Sequence, residues 1–498
     1  MLSVVVFLPA AGALLLAFLP RRERILHPVA QVAAASAFAI SIWLALPFFA
    51  QHNTTSPIAL DQHASWIPSI GAEYALHLDG ISLPLVLLTT LLSLLALVYS
   101  GYAREIQSGE TTKEYLILFL VMETGLLGVF LAADLLLFYL FWEVALVPLY
   151  FIIGIWGHDR RREAALKFFL YTRAGSLALL LAILALYLRT EPHSFSLAAI
   201  QAAGHGAGAG TLASLALLGF ALGFGVKLPI VPLHNWLPDA HVEAPTPGSV
   251  ILAGVLLKMG GYGFIRIALP VLPQAMVRFA VVLSIVALVG VIYGAAVAMV
   301  QRDFKRLVAF TSVNHMGFVL LGATVAAVAV SEVNRLAAIN GAVLQMVSHG
   351  LLTGGMFFLV GMLQERTGTR DLEKLGGAWG TLPTFAVVLS VFAFGSFGLP
   401  GMSGFIAEFQ VFVAALAAYR WAAITLAVGV AISTALYLRA LQQILFGHSA
   451  EQSNPKRDLG RADVAILSSL LLLIFLVGLV PGPLIALIQN ATRALVSR

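Results

Sequence analysis

The sequence predicts an all-α protein that crosses a membrane many times, and three observations carry that reading. Of 498 residues, 60% are hydrophobic and only 11% are charged, whereas a soluble domain carries about 25% charged residues. Mean hydropathy is +0.94. Apolar runs of about 20 residues, the length that spans the hydrocarbon of a bilayer, recur along the whole chain and number about fourteen.

The runs begin near residues 2, 26, 78, 114, 134, 164, 211, 249, 276, 304, 335, 381, 420 and 463, and they leave little chain for a soluble domain. The first, MLSVVVFLPAAGALLLAFLP, has no basic residue before it and an Arg-rich end after it. That is the reverse of a secretory signal, so the run is read as a retained helix. Arg21, Arg22 and Arg24, then Arg160, Arg161 and Arg162, then Arg302, Lys305 and Arg306, then Lys456, Arg457 and Arg461 fall in alternate loops. The connection from 51 to 77 contains neither Lys nor Arg. Basic residues near helix ends favour the cytoplasm, which puts both termini on the outer side of a bacterial plasma membrane. The same bias accounts for the net charge of +5. No basic patch is interleaved with exposed aromatics, so a nucleic-acid partner is not expected. With 0 cysteines the chain has no disulfide, no thiolate-held iron–sulfur cluster and no cysteine nucleophile, so any redox chemistry belongs to partner subunits.

Two runs break the helical pattern in a similar way. GFGVKLPIVPLHNWLP sets Pro229, Pro232 and Pro238 just after Lys227, and GSFGLPGMSGFIAE sets Gly398, Pro400, Gly401 and Gly404 just before Glu408. Proline removes a backbone donor and glycine loosens the ladder, so each run predicts a discontinuous helix. Interrupted helices at matching places in two halves point to inverted repeats around a mid-membrane ion path. The expected organisation is three helices in residues 1–113, a repeat of helices 4–8 in 114–270, an inverted repeat of helices 9–13 in 271–446, and a cytoplasmic loop with helix 14 in 447–498. Helices 7 and 12 carry the breaks.

Ionisable residues within the apolar runs are the candidate functional groups, because a lone charge at the bilayer centre costs from about 2.5 kcal/mol upward. Glu143 lies midway through LLLFYLFWEVALVPLYFIIGI and Lys258 midway through SVILAGVLLKMGGYGFIRIAL. The bland alternative for Glu143 is a structural hydrogen bond. Lys227 stands at the first break, where freed carbonyls and water can solvate it, or where it can snorkel from a half-helix end. Lys258 is too central to snorkel easily. His315 in LVAFTSVNHMGFVLLGATV and His349 in LQMVSHGLLTGGMFF are each mid-helix; a single buried histidine is as readily a core residue as a functional one. Glu408 reads either as a carboxylate using the half-helix dipole or as a proton-exchanging group. Glu123, Lys167 and Arg173 are supporting charges, and Asp134 is a helix cap. His234, Asp239, His241 and Glu243 follow the first break toward the inner side, where a hydrated intake region is favoured over a metal site. Groups that gain and lose protons suit proton transfer. Burial disfavours a charged lysine and a nearby carboxylate restores it, so a changing Glu143 to Lys227 separation can load or unload the lysine.

The runs FYLFWEVALVPLYFIIGIWG, KLPIVPLHNWLPDAHVEAPTPGSVILAGVLLKMGGYG, TSVNHMGFVLLG, VSHGLLTGGMFFLVGML and GLPGMSGFIAEF closely resemble the M subunit of proton-translocating NADH-quinone oxidoreductase, respiratory complex I, over nearly the whole chain. The resemblance implies fourteen helices with inverted five-helix repeats. It implies Glu143, Lys227 and Lys258 as the acidic and basic relay groups of helices 5, 7 and 8, His315 and His349 as relay histidines, and Glu408 as the helix 12 group toward the outer exit. It also implies L-type and N-type neighbours in the membrane, and NADH, FMN, iron–sulfur clusters and quinone in partner subunits, with no cofactor in this chain. L and N subunits and the large Mrp-type antiporter subunits usually carry lysine where Glu408 stands, and an L subunit continues into a lateral helix after its last span. Arg173, in YTRAGS, departs from the neutral amide the family leads one to expect. An Mrp-type cation/proton antiporter subunit, the membrane subunit of a membrane-bound hydrogenase, and a haem-binding subunit using His315 and His349 are the competing readings.

Overall fold

The computed structural model describes residues 1–50, 58–103, 105–106, 111–206, 208, 210–446 and 457–496. In a bilayer every backbone polar group must be satisfied within the chain, which favours continuous helices. In chain order the elements are α1 (Leu2–Phe18), α2 (Glu23–Ala50), β1 (Leu60–Ile67), β2 (Ala72–Leu78), α3 (Ser82–Ser100), α4 (Thr112–Leu131), α5 (Leu135–Trp156), α6 (Arg161–Tyr187), α7 (Leu197–Gly206), α8 (Thr211–Lys227), α9 (Trp236–Glu243) and α10 (Thr246–Val271). They continue as α11 (Pro273–Met299), α12 (Phe304–Val328), α13 (Glu332–Thr367), α14 (Pro383–Ser396), α15 (Ser403–Ala418), α16 (Arg420–Phe446), α17 (Arg461–Leu479) and α18 (Gly482–Val496). Eleven of these helices are long and apolar enough to cross a membrane, and α1, α8, α14 and α15 are shorter apolar helices. A helix stands at each expected run, the largest offset being the expected start at 78 against Ser82.

Burial is graded across the bundle. The spanning windows of α10, α12 and α13 are wholly buried within the protein, while α2, α6, α11 and α17 keep large apolar side chains such as Trp43, Leu181, Val282 and Leu472 on the outside. The centre is therefore where charges are shielded from both lipid and water, and it is where α10, α12 and α13 carry Lys258, His315 and His349.

Both expected breaks are present. Helix α8 ends at Lys227, and the proline-rich turn leads into the short α9. Helix α14 ends at Ser396, and the chain passes Gly398 (φ +80°) and Gly401 (φ +92°) before α15 begins at Ser403. These φ values lie in the left-handed region that glycine alone adopts freely. Helix α17 backs the second break: a Cβ built on Gly478 would lie 2.3 Å from the Gly401 carbonyl oxygen and 2.5 Å from the Met402 backbone. Backbone cannot move aside as a side-chain tip can, so Gly478→Val is expected to lower the thermal midpoint of the protein and its coupled activity together. An unchanged thermal midpoint would mean that this contact does not hold the break.

The expected basic loops share one face. The Arg160 N–H donates to Glu243 at 2.9 Å, Arg306 pairs with Asp239 at 3.4 Å, Arg370 pairs with Asp303 at 3.2 Å, and Arg366 pairs with Asp463 at 2.5 Å. Arg21 pairs with Glu114 nearby. Lys456 lies outside the described residues.

Two features depart from the sequence reading. The connection from 51 to 77, of which 51–57 lie outside the described residues, contains the antiparallel β1–β2 hairpin turning at Pro68–Gly71, so the chain is not wholly α. Helix α10 is not regular: π-helical segments at Leu252–Leu256 and Phe264–Ala268 flank Lys258, and such bulges are frequent at functional sites.

Candidate functional site

The central charges form a connected set across α10, α13, α12 and α15. Lys258 is fully buried; its ammonium donates to the Ala253 carbonyl at 2.5 Å and is hydrogen-bonded with His349 Nδ1 at 2.6 Å. The Ala253 carbonyl lies in the first π-helical segment, where the ladder is shifted and a carbonyl can turn toward the side chain. His349 meets His315 edge to face, ring centroids 5.4 Å apart. His315 Nε2 donates to the Ser396 carbonyl at 3.0 Å, a carbonyl at the end of α14 where the second break interrupts the helix. That bond assigns the proton of a neutral His315 to Nε2 and leaves Nδ1, which has no hydrogen-bond partner, as the acceptor. Glu408 Oε1 is 3.9 Å from the same Nε2, and its Oε2 lies against Gly398. The direct contact of the two imidazoles leaves no gap for a macrocycle between them.

Lys227 and Glu143 form a second group. Lys227 is 1% exposed and its ammonium has no hydrogen-bond partner. It lies 5.5 Å from the Trp142 ring and 5.7 Å from the Phe168 ring, a cation–π setting. Glu143 is ion-paired with Arg173 rather than with Lys227, which gives the unexpected arginine its partner. Glu143 and Lys227 are thus neighbours in the fold through Trp142 without sharing a bond, and the carboxylate is oriented toward the half-exposed Arg173.

The remaining predicted residues divide. Lys167, 38% exposed at its side chain, pairs with Asp239 at 2.6 Å and lies in the N-terminal part of α6. With Arg160, Glu163, Ala164 and Glu243 these two line a cavity of about 240 Å³. His234 and His241, expected in a hydrated intake region, do not line that cavity. They are 3% and 0% exposed, His234 against Tyr293 and Phe310 and His241 stacked 4.4 Å from Phe357, and the ring nitrogens of both lack partners. The short α9 folds under α12, which carries them inward. Glu123 is fully buried with neither oxygen partnered, and the structure does not bring it into the connected set. Asp134 caps α5, accepting from the Leu136 and Leu137 N–H groups at 2.9 and 3.0 Å. Among the described residues no cluster of His, Asp and Glu is arranged to hold a metal ion.

Among the buried charges that sequence reasoning missed, Lys305 is the one that bears on the site. Lys305 was read only as part of a basic loop, yet it is 1% exposed and donates to the Ala244 carbonyl at 2.5 Å. Nothing in the run QRDFKRLVAF separates it from its basic neighbours Arg302 and Arg306.

Residues 132–433 match the family described as NADH:quinone oxidoreductase/Mrp antiporter, TM. The chain is 40% identical to the NAD(P)H-quinone oxidoreductase chain 4 3 of Trichormus variabilis, covering 96% of this chain and 88% of that one. It is 38% identical to NADH-quinone oxidoreductase subunit M of Rhodobacter capsulatus, covering 98% and 96%. The fold matches a chain of respiratory complex I from Thermus thermophilus solved with bound NADH, with a TM-score of 0.86, 30% identity and 99% of both chains covered.

Proposed function

For a chain that belongs to the NADH:quinone oxidoreductase/Mrp antiporter membrane family, we propose the role of a proton-translocating membrane-arm subunit of NADH-quinone oxidoreductase, with Lys258, His349, His315 and Glu408 as its proton path. The observation that carries the path is the unbroken sequence of contacts from the Lys258–His349 bond at 2.6 Å, through the imidazole pair at 5.4 Å, to the His315–Glu408 approach at 3.9 Å. Each member gains and loses a proton, and the second helix break supplies the carbonyl that fixes the His315 tautomer. The chain works in a hetero-oligomeric complex; L-type and N-type subunits are its proposed neighbours, and NADH, FMN, iron–sulfur clusters and quinone are assigned to partners. The proposed setting is a bacterial inner membrane with both termini outside and the basic loops inside. Fourteen crossings follow if α8 with α9, and α14 with α15, each count as one broken helix, and the repeats are then α4 to α10 (114–270) and α11 to α16 (271–446).

The coupling element is Glu143. Held by Arg173 it gives Lys227 little compensation; turned toward Lys227 it stabilises the ammonium. Two unit charges brought to about 4 Å interact by about 4 kcal/mol at an effective dielectric of 20, more than the roughly 2.3 kcal/mol needed to move one charge against 100 mV. A neighbouring subunit that shifts Glu143 between Arg173 and Lys227 therefore has enough leverage to drive a proton step. The test is NADH-driven proton pumping in vesicles carrying Glu143→Gln, with NADH oxidation by an artificial acceptor as the check on assembly. Pumping and quinone reduction are expected to fall together while artificial-acceptor oxidation survives. Full pumping in that variant would overturn the coupling role. NADH-linked rates independent of the chain, with cation/proton exchange dependent on it, would favour the Mrp-type reading, and an intact NADH activity without this chain beside a hydrogen-linked one would favour the hydrogenase.

A further inference from the structure

We infer that Lys305 is a proton carrier at the inner mouth, delivering protons by way of His241 to the Lys258–His349 pair. The inference rests on the proton path proposed above and extends it to the inner surface.

Its geometry is that of an enclosed cation between surface acids and the buried path. The Lys305 ammonium is bonded to the Ala244 carbonyl at 2.5 Å, at the hinge where α9 ends and α10 begins. Glu105, Asp303 and Glu243 lie within electrostatic reach of it, as does the cation of Arg370. The acids are anchored toward the inner face: Glu105 accepts from the Thr246 N–H at 3.0 Å, Asp303 pairs with Arg370 at 3.2 Å, and Glu243 accepts from the Arg160 N–H at 2.9 Å. His158, in the loop after α5, also senses Lys305 and Arg370; its imidazole is pushed down to about 4 by burial and then by those cations, so it stays neutral there. Beside the turn that Lys305 holds stands His241, fully buried with both ring nitrogens unpartnered and within electrostatic reach of Lys305 and Lys258 alike. A buried imidazole without partners is costly unless it exchanges hydrogen bonds during function. Its position between two buried lysines gives it that use.

A purely structural clamp on Ala244 needs only a donor, whereas a carrier must also release a proton. Arginine keeps the donor and the charge but does not deprotonate in proteins, so it separates the two roles. In the assembled complex, Lys305→Arg is expected to retain artificial-acceptor NADH oxidation yet lose proton pumping and quinone-linked turnover at least about tenfold, a modest share of what a positioned proton-transfer group supplies. Lys305→His is expected to recover part of the turnover with a pH profile displaced toward acid. Glu143→Gln measured in the same membranes fixes the reference. If Glu143→Gln uncouples while Lys305→Arg pumps normally, the carrier role alone is overturned; if both pump normally, the coupling role of Glu143 fails with it. Failure of both Lys305 variants to assemble would also overturn the carrier role, in favour of the clamp.

Discussion

Lys258→Met is expected to leave the complex assembled and to lower NADH-driven pumping and quinone reduction by at least about tenfold, against the roughly 10²–10⁴ a positioned proton-transfer group contributes in catalysis. Methionine matches the apolar stem of lysine, so the wholly buried α10 keeps its packing. What disappears is the nitrogen 2.6 Å from His349 Nδ1 and 2.5 Å from the Ala253 carbonyl. His349 Nε2 already has no partner, so the variant leaves that imidazole with no bonded neighbour from which to take a proton. His349→Gln makes the complementary change, since an amide can hold Lys258 but cannot pass a proton. Pumping measured per NADH oxidised, with artificial-acceptor oxidation as the assembly check, reads both variants. Wild-type coupling in Lys258→Met would remove the lysine from the path, and wild-type coupling in His349→Gln would mean that the proton leaves Lys258 by another way.

The elements that were legible in the sequence are those that local chemistry dictates. Pro229 and Pro232 after Lys227 remove backbone donors, Gly398 and Gly401 before Glu408 flank Pro400, and the structure breaks at both places. The central placement of Lys258, His315 and His349 followed from run length alone. What pairs with what did not. Arg173 finds Glu143 thirty residues away on a neighbouring helix, whereas the favoured sequence reading linked Glu143 with Lys227. The burial of His234, His241 and Lys305 depends on α9 folding back beneath α12, a tertiary event that loop composition does not encode. The hairpin is hidden for a different reason: the absence of Lys and Arg from 51 to 77 says nothing of strands, which alternation and the Pro68–Gly71 turn residues signal.

Asp79→Asn is expected to cost about 3–5 kcal/mol of stability, the usual penalty for removing one partner of a buried ion pair. Asp79, 5% exposed, meets Arg266, 8% exposed, at 2.6 Å. Arg266 belongs to the second π-helical segment of α10, so the pair ties the C-terminal end of the helix that carries Lys258 to the start of α3. Asparagine is the informative replacement because Asp79 Oδ1 also accepts from the Ile81 and Ser82 N–H groups at 3.0 and 3.1 Å. Its amide oxygen keeps that cap, worth about 1 kcal/mol, and only the charge is lost. Burial alone would raise the Asp79 carboxyl, but Arg266, His77 at 3.4 Å and the Ser82 N–H outweigh it and hold the group far below the usual carboxylate range. A depressed carboxyl stabilises the fold fully above its unfolded value near about 3.9 and loses that contribution only as pH falls toward its folded value. The Asp79→Asn penalty should therefore be constant through neutral pH and shrink only in strong acid. Thermal unfolding of the assembled complex measures it, and Asp79→Asn with Arg266→Gln should recover most of the loss, because a neutral pair leaves no isolated charge in the interior. A double variant no more stable than Asp79→Asn would show that Arg266 is solvated once freed, and that α10 is anchored at its C-terminal end by packing rather than by charge.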